Sequence, residues 1–198
     1  MPTLLCFGDS NTYGYDPRSY LGGRYPEHIR WTGLLRAAGW EVLNRGENGR
    51  EIPVTAGQLA SCADLLRRER PDLTAVMLGS NDLLSHPRFT AEDVTGRMET
   101  FLSYLRSHVP EARLLLIAPP PMVPGDWVTE PRLLTESARL GPCYRALAAR
   151  LDLAFADAGA WGVDLCFDGV HFSPAGHRAF AAGLRAALEE PAFRNENA

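Results

Sequence analysis

LLCFGDSNTYGY, residues 4–15, runs from an unbroken apolar stretch straight into Gly8-Asp9-Ser10-Asn11, a turn crowded with small and polar groups. A short apolar run bounded by turn residues fits a strand buried on both faces. A serine at such a point commonly caps a helix or forms a turn. It can also be a nucleophile displayed at the end of a strand. The rest of the chain has to decide between these two duties.

Outward from that stretch, short apolar runs alternate with helical patterns. Strands are predicted over 3–7, 41–44, 73–78 and 113–118, with a less apolar fifth over 153–156. Between them Trp31, Leu34, Leu35 and Ala38 recur at helix spacing, as do Leu59, Cys62, Ala63 and Leu66. Val94, Met98, Phe101, Leu102 and Leu105 mark a long amphipathic helix, and Tyr144, Leu147, Ala148 and Leu151 another. Phe180, Leu184, Ala187 and Leu188 close the chain on a last one. Strands alternating with helices require crossovers, hence a parallel sheet sandwiched by helices. The expectation is an α/β chain, residues 1–198 forming a single domain around a five-stranded parallel sheet of flavodoxin-like order 2-1-3-4-5. Two irregular segments, 15–30 and 119–132, are too rich in Pro and Gly to be helices and follow strand ends. In such folds ligands bind at that edge. These segments could equally be plain connections or subunit contacts, so a homo-oligomer stays open.

With 198 residues, 45% hydrophobic and 22% charged, the chain can bury a sizeable core. A net charge of −4 offers no basic field for a polyphosphate backbone, so no nucleic-acid partner is expected. No run of about 18 apolar residues suggests a membrane span. The four cysteines, at 6, 62, 143 and 166, form neither a CxxC pair nor a zinc spacing. They read as small hydrophobes in a reducing compartment. With the first strand starting almost at Met1, the expected location is cytoplasmic.

Four polar stretches fall past predicted strand ends: GDSN (8–11), NRGENG (44–49), GSND (79–82) and DGVH (168–171). A parallel sheet brings all of them to one edge. Acyl transfer needs a hydroxyl, a base to take its proton, a carboxylate to orient that base, and donors for the developing oxyanion. Ser10, His171, Asp168 and a donor set of the Ser10 N–H, Gly49 N–H and Asn81 amide fill these roles. Each alone has a structural alternative: a cap, a loop carboxylate, a positive-φ glycine, an Asx turn. Their joint occurrence, in order and each at a strand end, favours catalysis. Tyr13, Tyr15 and Trp31 could line an acyl or alcohol pocket or simply pack in the core. His177 is expected to be a surface or packing residue, and Asp9 and Asp82 to hold loops together. Neither GxGxxG nor GxxxxGK[ST] occurs, which argues against a nucleotide site.

The ordered set resembles the SGNH, or GDSL-type, hydrolases, over most of the chain from CFGDSNTYGYDP to DGVHFSPAGH. The resemblance implies a three-layer α/β/α sandwich, a nucleophile at Ser10, an oxyanion-hole glycine at Gly49 (Gly46 in the alternative register), Asn81, and the Asp168–His171 pair. It implies no metal and no cofactor. Asn11 stands where the family's Leu often sits, a departure that bears on substrate preference. The extended match CFGDSNTYGY…RYPEHIRWTGLL is most similar to the arylesterase and acyltransferase branch. That branch acts on short acyl esters, can pass the acyl group to other alcohols, and often oligomerises. The expected activity is therefore hydrolysis of a small-molecule ester, with an acyltransferase or carbohydrate O-deacetylase as the alternative and a non-catalytic binding module as a third reading.

Overall fold

A computed structural model describes residues 1–19, 21 and 23–189, so Tyr20 and Gly22 of the 15–30 segment and the chain past Glu189 lie outside the described residues. Five strands, β1 (Thr3–Gly8), β2 (Glu41–Gly46), β3 (Leu73–Met77), β4 (Leu114–Ala118) and β5 (Ala154–Asp157), pair in parallel in the order β2-β1-β3-β4-β5. This is the predicted sheet. Among the described residues, seven α-helices connect and flank the strands: α1 (Ser10–Tyr13), α2 (Trp31–Ala37), α3 (Ala56–Glu69), α4 (Ser80–Ser85), α5 (Ala91–His108), α6 (Pro131–Arg150) and α7 (Pro174–Glu189).

Side chains alternate across the central strands, as strand geometry requires. Leu5, Phe7, Val76 and Leu116 face one way and pack with α3, α5 and α6 through Leu59, Phe101 and Tyr144. Leu4, Cys6, Ala75, Met77 and Leu115 face the other way, against α2 and α7 through Trp31, Leu35, Phe180 and Leu184. Burial of each such Leu or Phe contributes about 1.5–3 kcal/mol. Three layers result because β1, β3 and β4 are apolar on both faces. The register then sets the site: Gly8 lies beside Gly46 on one side and Met77 on the other. The chain therefore leaves β1, β2 and β3 at one level, where the crossovers from β1 diverge.

The 119–132 segment is shorter than expected, because Pro131 and Arg132 already belong to α6. Proline suits a first helical position, where its missing N–H costs nothing. The rest is tied to the DGVH loop: Val123 N–H donates to Gly169 O (3.1 Å), Asp126 N–H to Phe167 O (3.2 Å) and Trp127 N–H to Asp168 O (3.1 Å). Gly125 sits so close beneath that loop that a Cβ would lie 2.4 Å from the Asp168 carbonyl carbon.

His177, on α7, is buried between the rings of Tyr25 and Phe172, with Nδ1 facing the Trp31 N–H at 3.4 Å. Of the two sequence alternatives it is a packing residue. Burial, helped by the positive charge of Arg30, pushes its pKa down to about 4 from 6.5. The folded protein therefore resists a proton that the unfolded chain accepts, and this contribution to stability is present above pH 6.5 and lost as pH falls towards 4. Asp9 works in the opposite sense: burial raises its pKa from 3.8 to about 6, so its contribution is lost as pH rises through that window. The two offset each other in wild type. The stability difference between wild type and His177→Gln, from denaturant melts, should grow by about 3 kcal/mol between pH 4 and 7. A pH-independent difference would mean that this imidazole charges freely in the fold.

Candidate active site

The turn after β1 answers which duty Ser10 serves. The cap of α1 is Asp9, whose Oδ1 accepts the Asn11 N–H at 2.9 Å. The Ser10 hydroxyl is thus free of capping and points at the base: His171 Nε2 lies 3.0 Å from Ser10 Oγ. Gly8 makes the tight exit, since a Cβ there would meet Met77 O at 2.9 Å and Thr12 Oγ1 at 2.1 Å.

On the far side of the ring, His171 Nδ1 is 2.7 Å from Asp168 Oδ2. The other carboxylate oxygen, Oδ1, accepts the Val170 N–H (2.9 Å) and the His171 N–H (3.0 Å). Gly169, at φ +81°, closes this turn. Asp168 and His171 are only 1% and 2% exposed. Burial disfavours the Asp168 charge, but the hydrogen bonds from the His171 ring and the two N–H groups outweigh it and hold the carboxyl below its ordinary range. A carboxylate can only accept, so it places the ring proton on Nδ1 and leaves the Nε2 lone pair for the Ser10 proton.

Gly49 and Asn81 complete the cavity wall. Gly49 sits at φ +73° in a turn closed by Arg50 N–H to Glu47 O, a conformation that favours glycine. Its N–H has no acceptor among the described residues. Gly46 instead packs under α1, where a Cβ would meet the Tyr13 N at 2.1 Å. Asn81 Nδ2 donates one proton to Arg50 O at 3.0 Å, leaving the second available. Asp82, fully buried, accepts the Ile52 N–H (3.1 Å) and pairs with Arg97 (3.1 Å), which ties α4 to the turn carrying Gly49.

These groups converge. Ser10, Tyr15, Asn48, Gly49, Asn81, Trp127 and His171 line a cavity of about 250 Å³. Tyr15 and Trp127 flank the His171 ring, their centroids 4.7 and 5.0 Å from it. Of the three aromatics weighed from sequence, only Tyr15 lines the cavity. Trp31 is no pocket residue: it is 1% exposed, packs at a tilt against the Phe180 ring and donates its indole N–H to Asn11 O at 2.9 Å. The apolar stripe that makes α2 amphipathic turns Trp31 inward to the sheet. Tyr13 lies outside the cavity lining, under the Arg24 guanidinium.

Sequence reasoning missed Trp127 and Arg50. Arg50 donates to Gly8 O at 2.8 Å and also to Arg45 O, bracing the oxyanion-side turn against two strand ends. The only signal for Trp127 was a large aromatic in a Pro-rich segment beyond a strand end. Arg50 had none beyond its place next to Gly49. Among the described residues, no group of three or more His, Cys, Asp or Glu is placed to hold a metal ion. No described helix is long and apolar enough to cross a membrane. A hydroxyl, a carboxylate-oriented imidazole and amide donors around one small cavity can carry out acyl transfer.

Comparison with known proteins agrees with this chemistry. A family model described as the GDSL-like lipase/acylhydrolase family matches residues 6–179. The chain is 28% identical to an isoamyl acetate-hydrolyzing esterase 1 homolog of Bos taurus, over 96% of this chain and 82% of that one. Among solved structures, a carbohydrate acetylesterase family member from Sinorhizobium meliloti superposes with a TM-score of 0.82 at 30% identity, covering 95% of this chain and 97% of that one. The native aryl esterase of M. smegmatis gives 0.80 at 26% identity, covering 98% and 100%. The chain belongs to the GDSL-like lipase/acylhydrolase family and is a carboxylic ester hydrolase.

Proposed function

We propose that the protein hydrolyses short-chain acyl esters, acetyl-type or aryl, through an acyl-enzyme at Ser10. The observation that carries this reading is the hydrogen-bonded line Ser10–His171–Asp168 opening into the cavity that Gly49 and Asn81 wall. In the proposed mechanism Ser10 Oγ attacks the ester carbonyl while His171 Nε2 takes its proton. The oxyanion is received by the N–H groups of Ser10 and Gly49 and the free Asn81 amide proton. Collapse expels the alcohol, which leaves with the proton from His171. Water, deprotonated by the same imidazole, then releases the acid and restores Ser10.

The short acyl group follows from size. About 250 Å³ is below the range of drug-sized ligand sites, and Tyr15 and Trp127 close its walls. Across a series of aryl esters from acetate to octanoate, kcat/KM should be highest at two to four acyl carbons. It should fall tenfold or more by octanoate, about 1.4 kcal/mol or more of lost transition-state binding. A profile rising towards octanoate would overturn the short-acyl reading.

One observation favours a second reading, carbohydrate O-deacetylation or acyl transfer. Across Asn48 and Gly49 lies a larger polar cleft of about 920 Å³, lined in part by Arg50, Gln58 and Ser61. It has room for a polyhydroxylated alcohol half. Acetylated sugars and competing alcohol acceptors, assayed beside the aryl esters, separate the two readings.

A further inference from the structure

Asn11 takes no part in the proposed chemistry, yet its side chain joins the nucleophile's turn to the base's loop. Its Nδ2 donates to Val170 O at 3.1 Å, and its Oδ1 accepts the Phe172 N–H at 2.9 Å. These are the peptide groups immediately before and after His171. A carboxamide offers a donor and an acceptor in one plane, as a peptide does, so Asn11 pairs with this loop like one more rung of a β-ladder. The residue is itself fixed at its root. Its N–H is held by Asp9 Oδ1, and its carbonyl accepts the indole N–H of the core residue Trp31. It is 5% exposed, so the bonds are sheltered from water.

We infer that Asn11 is a positioning residue for His171: two hydrogen bonds from the residue next to the nucleophile set the distance between Nε2 and Ser10 Oγ. A leucine at this position has a similar size but makes neither bond, leaving Val170 O and the Phe172 N–H unpaired in a buried place. The loop would then be held by Asp168's own turn, the Cys166 N–H bond to His171 O, the Leu165–Phe172 bridge, the buried Phe172 ring and the 119–130 segment, none of which bonds to the turn that carries Ser10. This inference rests on Ser10 and His171 acting as the reactive pair.

The test is Asn11→Leu, assayed for kcat per active site, with sites counted by a fluorophosphonate probe. The expected result is a fall in kcat of roughly 10–10²-fold, with KM moved less than about twofold. The rate of phosphonylation at Ser10 should fall by a similar factor. A purely structural role would lower the number of titratable sites and the melting temperature while leaving turnover per site intact, and that outcome overturns the inference. If Asn11→Leu does not fold, Asn11→Asp gives the same readout, since it keeps the Phe172 bond and sets an oxygen against Val170 O. In wild type, the Phe172 amide must exchange slowly with deuterium; exchange as fast as that of exposed loop amides overturns the inference without any variant. Wild type that the probe does not label at Ser10 defeats the underlying mechanism, whereas labelled wild type with unchanged variants defeats this inference alone.

Discussion

Ser10→Ala is expected to lower kcat for ester hydrolysis by on the order of 10⁵–10⁶, leaving only the residual acceleration that binding and the oxyanion donors supply. The size of the effect follows from the division of labour in the turn. Asp9, not Ser10, caps α1, and the backbone carbonyl of Ser10 keeps its bonds from the Gly14 and Tyr15 N–H groups whatever the side chain. Removing one oxygen therefore leaves the fold alone and takes away the nucleophile. Nothing else in the cavity lining replaces it: Tyr15, Asn48, Asn81 and Trp127 offer no side chain readily activated by His171 near neutral pH. Steady-state assays, with fluorophosphonate labelling and thermal melts as controls, check this. Wild-type turnover in the variant would eliminate the acyl-enzyme at Ser10, even though membership of the hydrolase family would stand.

How much of this was legible from residues alone depends on how local each cause is. β1, β3 and β4 announce themselves because both faces of each strand are apolar, and their turns are polar for reasons set within a few residues. Once the strands are parallel, the clustering of GDSN, GSND and DGVH at one edge is a matter of topology, so Ser10, Asn81 and His171 could be named together. The turn reaching Gly49 is equally local, with Gly46 as the alternative register; the place of Gly49 in the cavity wall and the packing of Gly46 on the Tyr13 backbone decide for Gly49. What stayed hidden depends on side chains meeting distant backbone. Asn11 reads as a variant of the nucleophile motif until its amide is seen bridging residues about 160 positions away. Trp127 reaches His171 because the 119–130 segment is laid along the DGVH loop by three backbone bonds that no hydrophobic period encodes. For Trp31 the sequence offers both pocket and core, and helix periodicity decides for the core.

Asp168→Asn is expected to cost on the order of 10³–10⁴ in kcat, and the reason is a proton's position more than a lost charge. Oδ1 of Asp168 accepts the N–H groups of Val170 and His171, and an asparagine carbonyl oxygen at that position accepts both as well. The turn and the ring's location are therefore kept. Oδ2, 2.7 Å from His171 Nδ1, becomes an NH₂ group, a donor facing what was a donor. The ring relieves that conflict by moving its proton to Nε2, so that Nδ1 can accept. Nε2 then presents an N–H to Ser10 Oγ and can no longer take its proton. Positive charge developing on the imidazole during attack also loses its buried counter-charge. The variant should fold, melt close to wild type and still bind ester, with the loss falling on kcat and on the rate of fluorophosphonate labelling while KM changes little. Activity within tenfold of wild type would mean that Asp168 shapes the loop but does not govern the base, and the orienting role would have to pass to another group. No other carboxylate makes a hydrogen bond to the His171 ring among the described residues.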